Sequence, residues 1–324
     1  MWDFSVLRTL GIVARSWPYV LLRIAVYSAI TLAYIVATGA GAGIGYSVGH
    51  ILGPDGPPGF AVWGGIFGFG LVSMALYWVR EYILYVVKAA HVAVMVHLID
   101  GRDLPDGLGQ LAYGRRIVTA RFLEANLLFV LDQLVKGVIG AIGGLLGGIA
   151  AMIPIPGLQG LIGFLRSVAR MSLTYVDEVI LGYNIRTDSN TPWDTAQRGL
   201  VLYAQNGGAI VKNAVWLSIF MWGLTLVIFA VALTPAAAIL YMMPGQLAGW
   251  SFVLAIVFAW AFKAAFLEPF CIAALMQVYF RAIEGQSPNA EWIDRLNGAS
   301  RQFRELGERA SAVFTGSDGR AAAN

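Results

Sequence analysis

Long apolar stretches are separated by two chemically different kinds of break, and this alternation constrains the fold more than any other feature. Three breaks are rich in proline and glycine and contain neither lysine nor arginine, at 53–59, 154–157 and 234–245. Most lysines and arginines lie instead in 101–121, in 184–212 and near the chain ends. Because positively charged loops stay on the cytoplasmic side of a membrane, the three uncharged breaks are predicted to lie on the opposite side.

The apolar stretches are long enough to cross a bilayer, which takes about 20 residues of helix. We therefore predict an all-α, polytopic transmembrane helical bundle with about six spans in three hairpins. The predicted spans are 24–52, 60–80, 134–153, 157–178, 213–234 and 249–280. Residues 60–99 contain no proline or glycine after Gly70, which predicts one helix of about 60 Å that extends into the cytoplasm. As an alternative, 144–165 only dips into the bilayer, which leaves four full spans and one re-entrant hairpin.

The composition excludes a water-soluble fold and changes along the chain. The sequence is 58% hydrophobic and 13% charged, whereas soluble domains carry about a quarter charged residues. We predict a cytoplasmic amphipathic N-terminal segment (1–23), a transmembrane domain with long cytoplasmic helical extensions (24–285) and a cytoplasmic helical tail (286–324). Both termini are predicted to be cytoplasmic, in a plasma membrane or a bacterial inner membrane, with membrane lipids as partners.

Several charged residues fall within the predicted spans, where an ionisable group is costly and commonly marks a functional site. Asp177 and Glu178 end the fourth predicted span. The candidates for a substrate or ion path are Arg166, Arg170, Lys263, Glu268, Asp132 and Lys136. Pro269 follows Glu268 and is expected to free backbone carbonyls beside a polar cavity. The alternative for all these charges is a set of interhelical ion pairs near the inner membrane surface.

Tryptophan side chains offer a second kind of site, because the faces of their rings attract ammonium cations. Trp216, Trp222 and Trp260 are the candidates for an aromatic cage around such a cation. Tryptophan also collects at membrane interfaces, and that alternative explains most of the other tryptophans near predicted span ends.

The tail carries an apolar repeat with alternating steps of four and three residues, which is typical of the seam of a coiled coil. The repeat consists of Trp292, Leu296, Ala299, Phe303, Leu306, Ala310 and Val313. We predict self-association of the chain through this seam, with Trp292, Leu296, Phe303 and Leu306 as the oligomerisation residues. The alternative is an amphipathic helix that docks on its own protein or on lipid.

The sequence contains no signature of catalysis or of metal binding. No P-loop is present, and the one Gly-x-Ser-x-Gly match, at 45–49, lies inside a predicted span and not at the turn from a strand to a helix. Cys271 is the single cysteine, and His91 and His97 are six residues apart, a spacing that does not place two ligands on one helix face. We therefore predict no enzymatic activity, no metal and no cofactor. The dispersed basic residues also disfavour a nucleic-acid partner.

Three short stretches carry a resemblance to a known family. They are 108–114, the run 177–213 with Ala196, Leu200 and Asn206, and 264–284 with Leu267-Glu268-Pro269. From about residue 87 to 285 the order of these features resembles the choline transporter-like family of multi-span membrane proteins. The resemblance implies movement of choline or a similar amine, with aromatic side chains holding the cation. The members of that family have more spans than this chain is predicted to have.

The charges within apolar segments favour a transport function over a scaffold function. The first hypothesis is a transporter or channel for a small cationic or anionic solute. Choline or a related amine is one candidate. The second is an oligomeric structural or assembly scaffold of a membrane complex, whose long cytoplasmic helices and tail recruit other components.

Overall fold

The structure of the chain is a computed structural model that describes residues 2–53, 56–104, 109–121, 125–151, 173–188, 191–242 and 248–321. These residues are helical apart from short turns and loops, and no strand occurs among them. The helices are α1 (Val6–Arg15), α2 (Trp17–Leu52), α3 (Pro57–Ile99), α4 (Gly109–Arg121), α5 (Ala125–Ala151), α6 (Val176–Arg186), α7 (Pro192–Gln205), α8 (Gly207–Met242), α9 (Ala248–Ala282), α10 (Ala290–Ala299) and α11 (Arg301–Ala321).

Four helical segments of the described residues are long and apolar enough to cross a membrane. They are Trp17–Leu52, Pro57–Ala75, Gly207–Val231 and Lys263–Ala282. The predicted all-helical class is confirmed, and these segments are those expected of a membrane protein. The count of six spans and the hairpin layout stay predictions. Most of the predicted span 157–178, and of the alternative re-entrant segment 144–165, lies outside the described residues.

The four segments differ in what surrounds them. In the apolar 18-residue window that defines each of the first three, between 11% and 22% of the residues are buried inside the protein, whereas in the window of Lys263–Ala282 the share is 83%. The first three therefore present apolar surface to their surroundings, as lipid-facing helices do. The fourth is surrounded by other helices of the chain, so its apolar sequence also serves as protein core.

The chain divides into two compact units. The larger unit comprises Met1–Pro18, Lys88–Val227 and Phe266–Asn324, and the smaller unit comprises Tyr19–Val87 and Ile228–Ala265. This division follows packing, and its limits differ from the regions 1–23, 24–285 and 286–324 that composition marks in the sequence. As predicted, α3 is one uninterrupted helix, and it contributes to both units.

In the smaller unit, α2 and α3 approach so closely that their backbones touch through glycines. A methyl group placed on Gly45 would lie 2.0 Å from the carbonyl oxygen of Phe60, and one on Gly41 would lie 2.2 Å from that of Gly64. Small residues spaced four apart allow this kind of contact between membrane helices. Large apolar side chains such as Trp63 point outward from the same hairpin.

The centre of the larger unit is formed by the second half of α9 and the last three turns of α3. Most residues of 89–99 and of 270–280 are buried. At Gly182 of α6 an added methyl group would lie 2.7 Å from the sulfur of Met276, and the Tyr279 hydroxyl donates to the carbonyl oxygen of Gly199 at 2.9 Å. The α6 and α7 helices therefore pack directly on α9.

The tail forms two helices instead of one, and the middle of its seam is covered within the chain. Leu296, Phe303 and Leu306 are fully buried, and α10 and α11 pack on α5 and α7. Ser300 separates the two helices, and its hydroxyl accepts a hydrogen bond from the Phe303 amide at 3.2 Å. These residues dock on the chain itself, which was the alternative interpretation of the repeat. Self-association stays a prediction. Leu296, Phe303 and Leu306 are not accessible for it in this structure, whereas Trp292 is only partly buried.

The hairpin packing predicts a strong difference between two neighbouring glycines. Gly45→Ala should lower the stability of the hairpin by about 1–3 kcal/mol, because the methyl group forces the two backbones apart. Gly43→Ala is the matched control, since nothing lies within 4 Å of a methyl group at Gly43. That control should be neutral or stabilising by up to about 1 kcal/mol, the gain in helix propensity. Thermal unfolding in detergent measures both, and equal midpoints would contradict the close approach.

The docked tail predicts that removing one of its buried side chains destabilises the larger unit. Phe303→Ala should cost about 3–5 kcal/mol, because the large ring leaves a cavity in the core. Glu308→Ala, at an exposed position of the same helix, should change stability by less than about 0.5 kcal/mol. Thermal unfolding of the purified variants checks this. A Phe303→Ala protein with an unchanged midpoint would mean that the tail is not packed as described.

Candidate cation-binding cluster

Six charged side chains from four helices meet inside the larger unit, and we call them the carboxyl cluster. The α5 helix contributes Asp132 and Lys136, and the first turn of α6 contributes Asp177 and Glu178. The other two are Lys88 of α3 and Glu268 of α9. The cluster thus brings together three of the residues predicted for a substrate or ion path, Asp132, Lys136 and Glu268.

Two lysines connect the members of the cluster. The Lys136 ammonium lies 2.6 Å from Oδ2 of Asp132 and 3.8 Å from Oδ2 of Asp177. The Lys88 ammonium lies 3.3 Å from Oε1 of Glu178 and 3.8 Å from Oε2 of Glu268. Each lysine therefore serves two carboxyl groups, and carboxyls outnumber lysines four to two among these six side chains.

The carboxyl groups are largely shielded from solvent and are not saturated with hydrogen bonds. The side chains of Asp132, Glu178 and Asp177 are 2%, 7% and 14% exposed. Three buried oxygens, Oδ1 of Asp132, Oδ1 of Asp177 and Oε2 of Glu178, have no hydrogen-bond partner among the described residues. Leaving a buried polar atom unsatisfied costs about 1–3 kcal/mol, and more if the group is charged.

The Asp177 carboxyl, which lies outside the four candidate spans, is the member best placed to hold a proton. Burial raises its pKa well above the ordinary value, and the neighbouring Glu178 carboxyl raises it further. The Lys136 ammonium opposes this shift but sits closer to Asp132. Protonation of Asp177 removes one negative charge from the cluster and converts an acceptor into a donor.

The arrangement can accept a proton or a small organic ammonium ion. Ionised carboxylates only accept hydrogen bonds, so an N–H or O–H donor is what their unsatisfied oxygens require. Within the part of the chain that the structure describes, no three or more His, Cys, Asp or Glu side chains are grouped so as to hold a metal ion.

Other predicted site residues lie elsewhere. Lys263 is exposed, and no ion pair with it is seen among the described residues. Pro269, which was expected to free backbone carbonyls, lies inside α9, and the helix continues through it. Most residues around it are buried, and a proline is tolerated in such a helix where neighbouring helices can satisfy the freed backbone groups. Arg166 and Arg170 lie outside the described residues.

Two of the three cage candidates, Trp216 and Trp222, have described side chains, and they do not form an aromatic cage. Trp216 and Trp222 are both exposed on α8, and six residues of helix turn their side chains to different faces. The Trp216 ring contacts Trp2 instead, at 5.4 Å between ring centroids. The side chain of Trp260 lies outside the described residues.

Sequence reasoning missed Lys88 as a site residue. A signal was present, because Lys88 is the single lysine or arginine between Glu81 and Arg102. An isolated ammonium group in an apolar helix needs a partner, and here it has two carboxylates. Asp177 and Glu178 were noticed as charges at a span end, but their proximity to Asp132 depends on how α5 packs on α6.

No protein-family model, curated protein or solved structure matches this chain. The resemblance to the choline transporter-like family therefore stays a prediction, carried by the three stretches in which it was seen.

The raised pKa of Asp177 predicts a pH-dependent stability that one substitution removes. As the pH rises above 3.8, the ordinary value for aspartate, the unfolded chain ionises first. Stability is therefore lost until the pH passes the raised pKa of the folded protein. Asp177→Asn should abolish this loss, so the variant should unfold at a higher temperature than the parent at neutral pH and at a similar temperature at acidic pH.

Thermal unfolding in detergent across this pH range measures the effect. Glu291→Gln is the control, because Glu291 is an exposed carboxylate paired with Arg295 on α10. It should follow the pH profile of the parent protein. An Asp177→Asn variant that is destabilised at neutral pH would show that the carboxylate is ionised and stabilising.

Proposed function

We propose that this chain is a membrane transporter or channel for a small cationic solute, not an enzyme, and that the carboxyl cluster is where the cation binds. The observation that carries the proposal is the set of three buried oxygens on Asp132, Asp177 and Glu178 that the two lysines leave without a donor, a need that one proton on Asp177 meets only in part. A bound cation with N–H or O–H groups would supply those donors. Choline or a related amine is the candidate class that the family resemblance adds. Choline itself has no N–H group and can donate only through its one hydroxyl, so a primary or secondary amine fits the unsatisfied oxygens better.

The position of the cluster in the helices supports a role in transport. Glu268 lies on the candidate span Lys263–Ala282, and Lys88 lies on α3, the helix that begins with the candidate span Pro57–Ala75. Binding of a cation would weaken the attraction of Lys88 for Glu178 and Glu268, because the new charge competes for the same oxygens. A change in these contacts would act on both helices, and such coupling is what a carrier needs to change conformation.

The scaffold hypothesis draws less support. It assigned recruitment of partners to the apolar seam of the tail, and Leu296, Phe303 and Leu306 of that seam are covered by the chain itself. It also gives no reason for carboxylates at the centre of a helical unit. Ion pairs alone explain Lys88 and Lys136, yet they leave the three oxygens unsatisfied.

Transport measurements with isosteric variants test the proposal. The full chain is reconstituted in liposomes, and uptake of labelled choline, of a smaller alkylammonium ion and of protons is compared with uptake by empty vesicles. Glu178→Gln should lower cation uptake at least tenfold, corresponding to about 1.4 kcal/mol of lost binding, because it removes a charge while keeping the shape. Glu291→Gln, on the exposed face of the tail, should transport like the parent protein.

Two results would contradict the proposal. One is uptake no faster than in empty vesicles for all three cations, with correctly folded protein. The other is equal transport by Glu178→Gln, Asp177→Asn and the parent protein, which would place the path away from the cluster. Retained folding is checked on the same samples by thermal unfolding, so that a loss of transport is not a loss of structure.

A further inference from the structure

The α1 helix has one face inside the larger unit and one apolar face outside it. Thr9, Ile12, Val13 and Ser16 are buried. The opposite face consists of Leu7, Leu10, Gly11 and Ala14, all exposed and all apolar. Leu7 is 83% exposed and Leu10 is 45% exposed, so this outer face has no covering among the described residues.

Polar contacts hold α1 in a fixed orientation, so the exposure of its outer face is a property of the fold. Thr9 accepts a hydrogen bond from the Gln277 amide at 2.9 Å, and Arg8 donates to the carbonyl oxygen of Ile99 at 2.6 Å. At the end of the helix, the Ser16 hydroxyl is hydrogen-bonded to His91 at 2.9 Å. The helix is thereby attached to α3 and α9 and cannot turn its leucines inward.

Both ends of α1 are connected to helices that contain candidate spans. Before the helix, Asp3 pairs with Lys212 at 2.7 Å and its amide donates to Asn213 at 2.6 Å, in the second turn of α8. After the helix, Ser16 is followed directly by Trp17, where the candidate span of α2 begins. A helix of ten residues, about 15 Å long, in such a position is expected to be interfacial.

The residues around the outer face fit that location. Arg8 and Arg15 are exposed at one edge of the apolar face, while Trp2 and Trp17 are exposed at the two ends of the segment. Basic residues that flank an apolar face, with tryptophans nearby, are typical of helices that lie in the interface between headgroups and acyl chains. We infer that the outer face of α1, centred on Leu7 and Leu10, is inserted in the lipid interface of the bilayer.

Spin-label accessibility tests the inference on the full chain in lipid vesicles. In a Cys271→Ala background, which removes the single native cysteine, a nitroxide is attached at Leu7→Cys or at Leu10→Cys. The matched control is Ala299→Cys, an exposed small residue at the end of α10. Vesicles of phosphatidylcholine and phosphatidylglycerol are used, and collision with oxygen, which concentrates in lipid, is compared with collision with a water-soluble nickel chelate.

Labels at residues 7 and 10 are expected to collide mainly with oxygen, and the label at residue 299 mainly with the nickel chelate. Ready access of the chelate to residues 7 and 10 would overturn the inference, because the face would then lie in water. Protection from both reagents would also overturn it, because protein would then cover the face. A label at residue 10 keeps the test decisive if Leu7→Cys fails to fold, and the result does not depend on whether the chain transports a solute.

Discussion

A helix that crosses a bilayer must satisfy all its backbone groups internally, and in this protein the same helices continue well beyond the length that crossing requires. The α2, α3, α8 and α9 helices have 36, 43, 36 and 35 residues, whereas about 20 are enough to span the hydrocarbon core. One part of such a helix can face lipid while another part is core. In α3, Trp63 and Phe67 are exposed, and Ala89 to Met95 are buried. The two compact units arise from this change of environment along single helices.

The carboxyl cluster depends on that arrangement. Lys88 lies in the last third of α3 and Glu268 is past the middle of α9, so both are carried by helices that also include candidate spans. The α5 and α6 helices then bring Asp132, Asp177 and Glu178 to the same place. Charges that would be costly if isolated are tolerated because each lysine is shared by two carboxyl groups. Two lysines do not satisfy all the oxygens of four carboxyl groups, and the remaining oxygens are the reason to propose a ligand in the carboxyl cluster.

Much of the helical content could be predicted from local sequence. The single helix at 57–99 follows from the absence of proline and glycine after Gly70, and the contact between Asp132 and Lys136 follows from their spacing of four residues. Such inferences need only the geometry of one helix. The meeting of Lys88, Glu178 and Glu268 could not be read in the same way, because it depends on the packing of three helices far apart in the sequence.

The tail also shows that local sequence does not reveal how helices pack on one another. Its repeat correctly identified Leu296, Phe303 and Leu306 as members of one buried face, since periodicity reports which residues share a face. Periodicity does not report what covers that face, and α5 and α7 cover it here. Pro269 is a similar case, because a proline breaks an isolated helix but is accommodated where other helices enclose it.

The larger unit is assembled from three separate parts of the chain, and this has a consequence for how the protein is made. The hydrogen bond between Thr9 and Gln277 joins residues that are 268 positions apart. During synthesis Thr9 is made long before its partner on α9, and the tail that covers α5 and α7 is made after α9. The unit therefore cannot complete its core until these later segments have been made. Until then its apolar helices have to be kept apart from other chains by the membrane, the insertion machinery or chaperones.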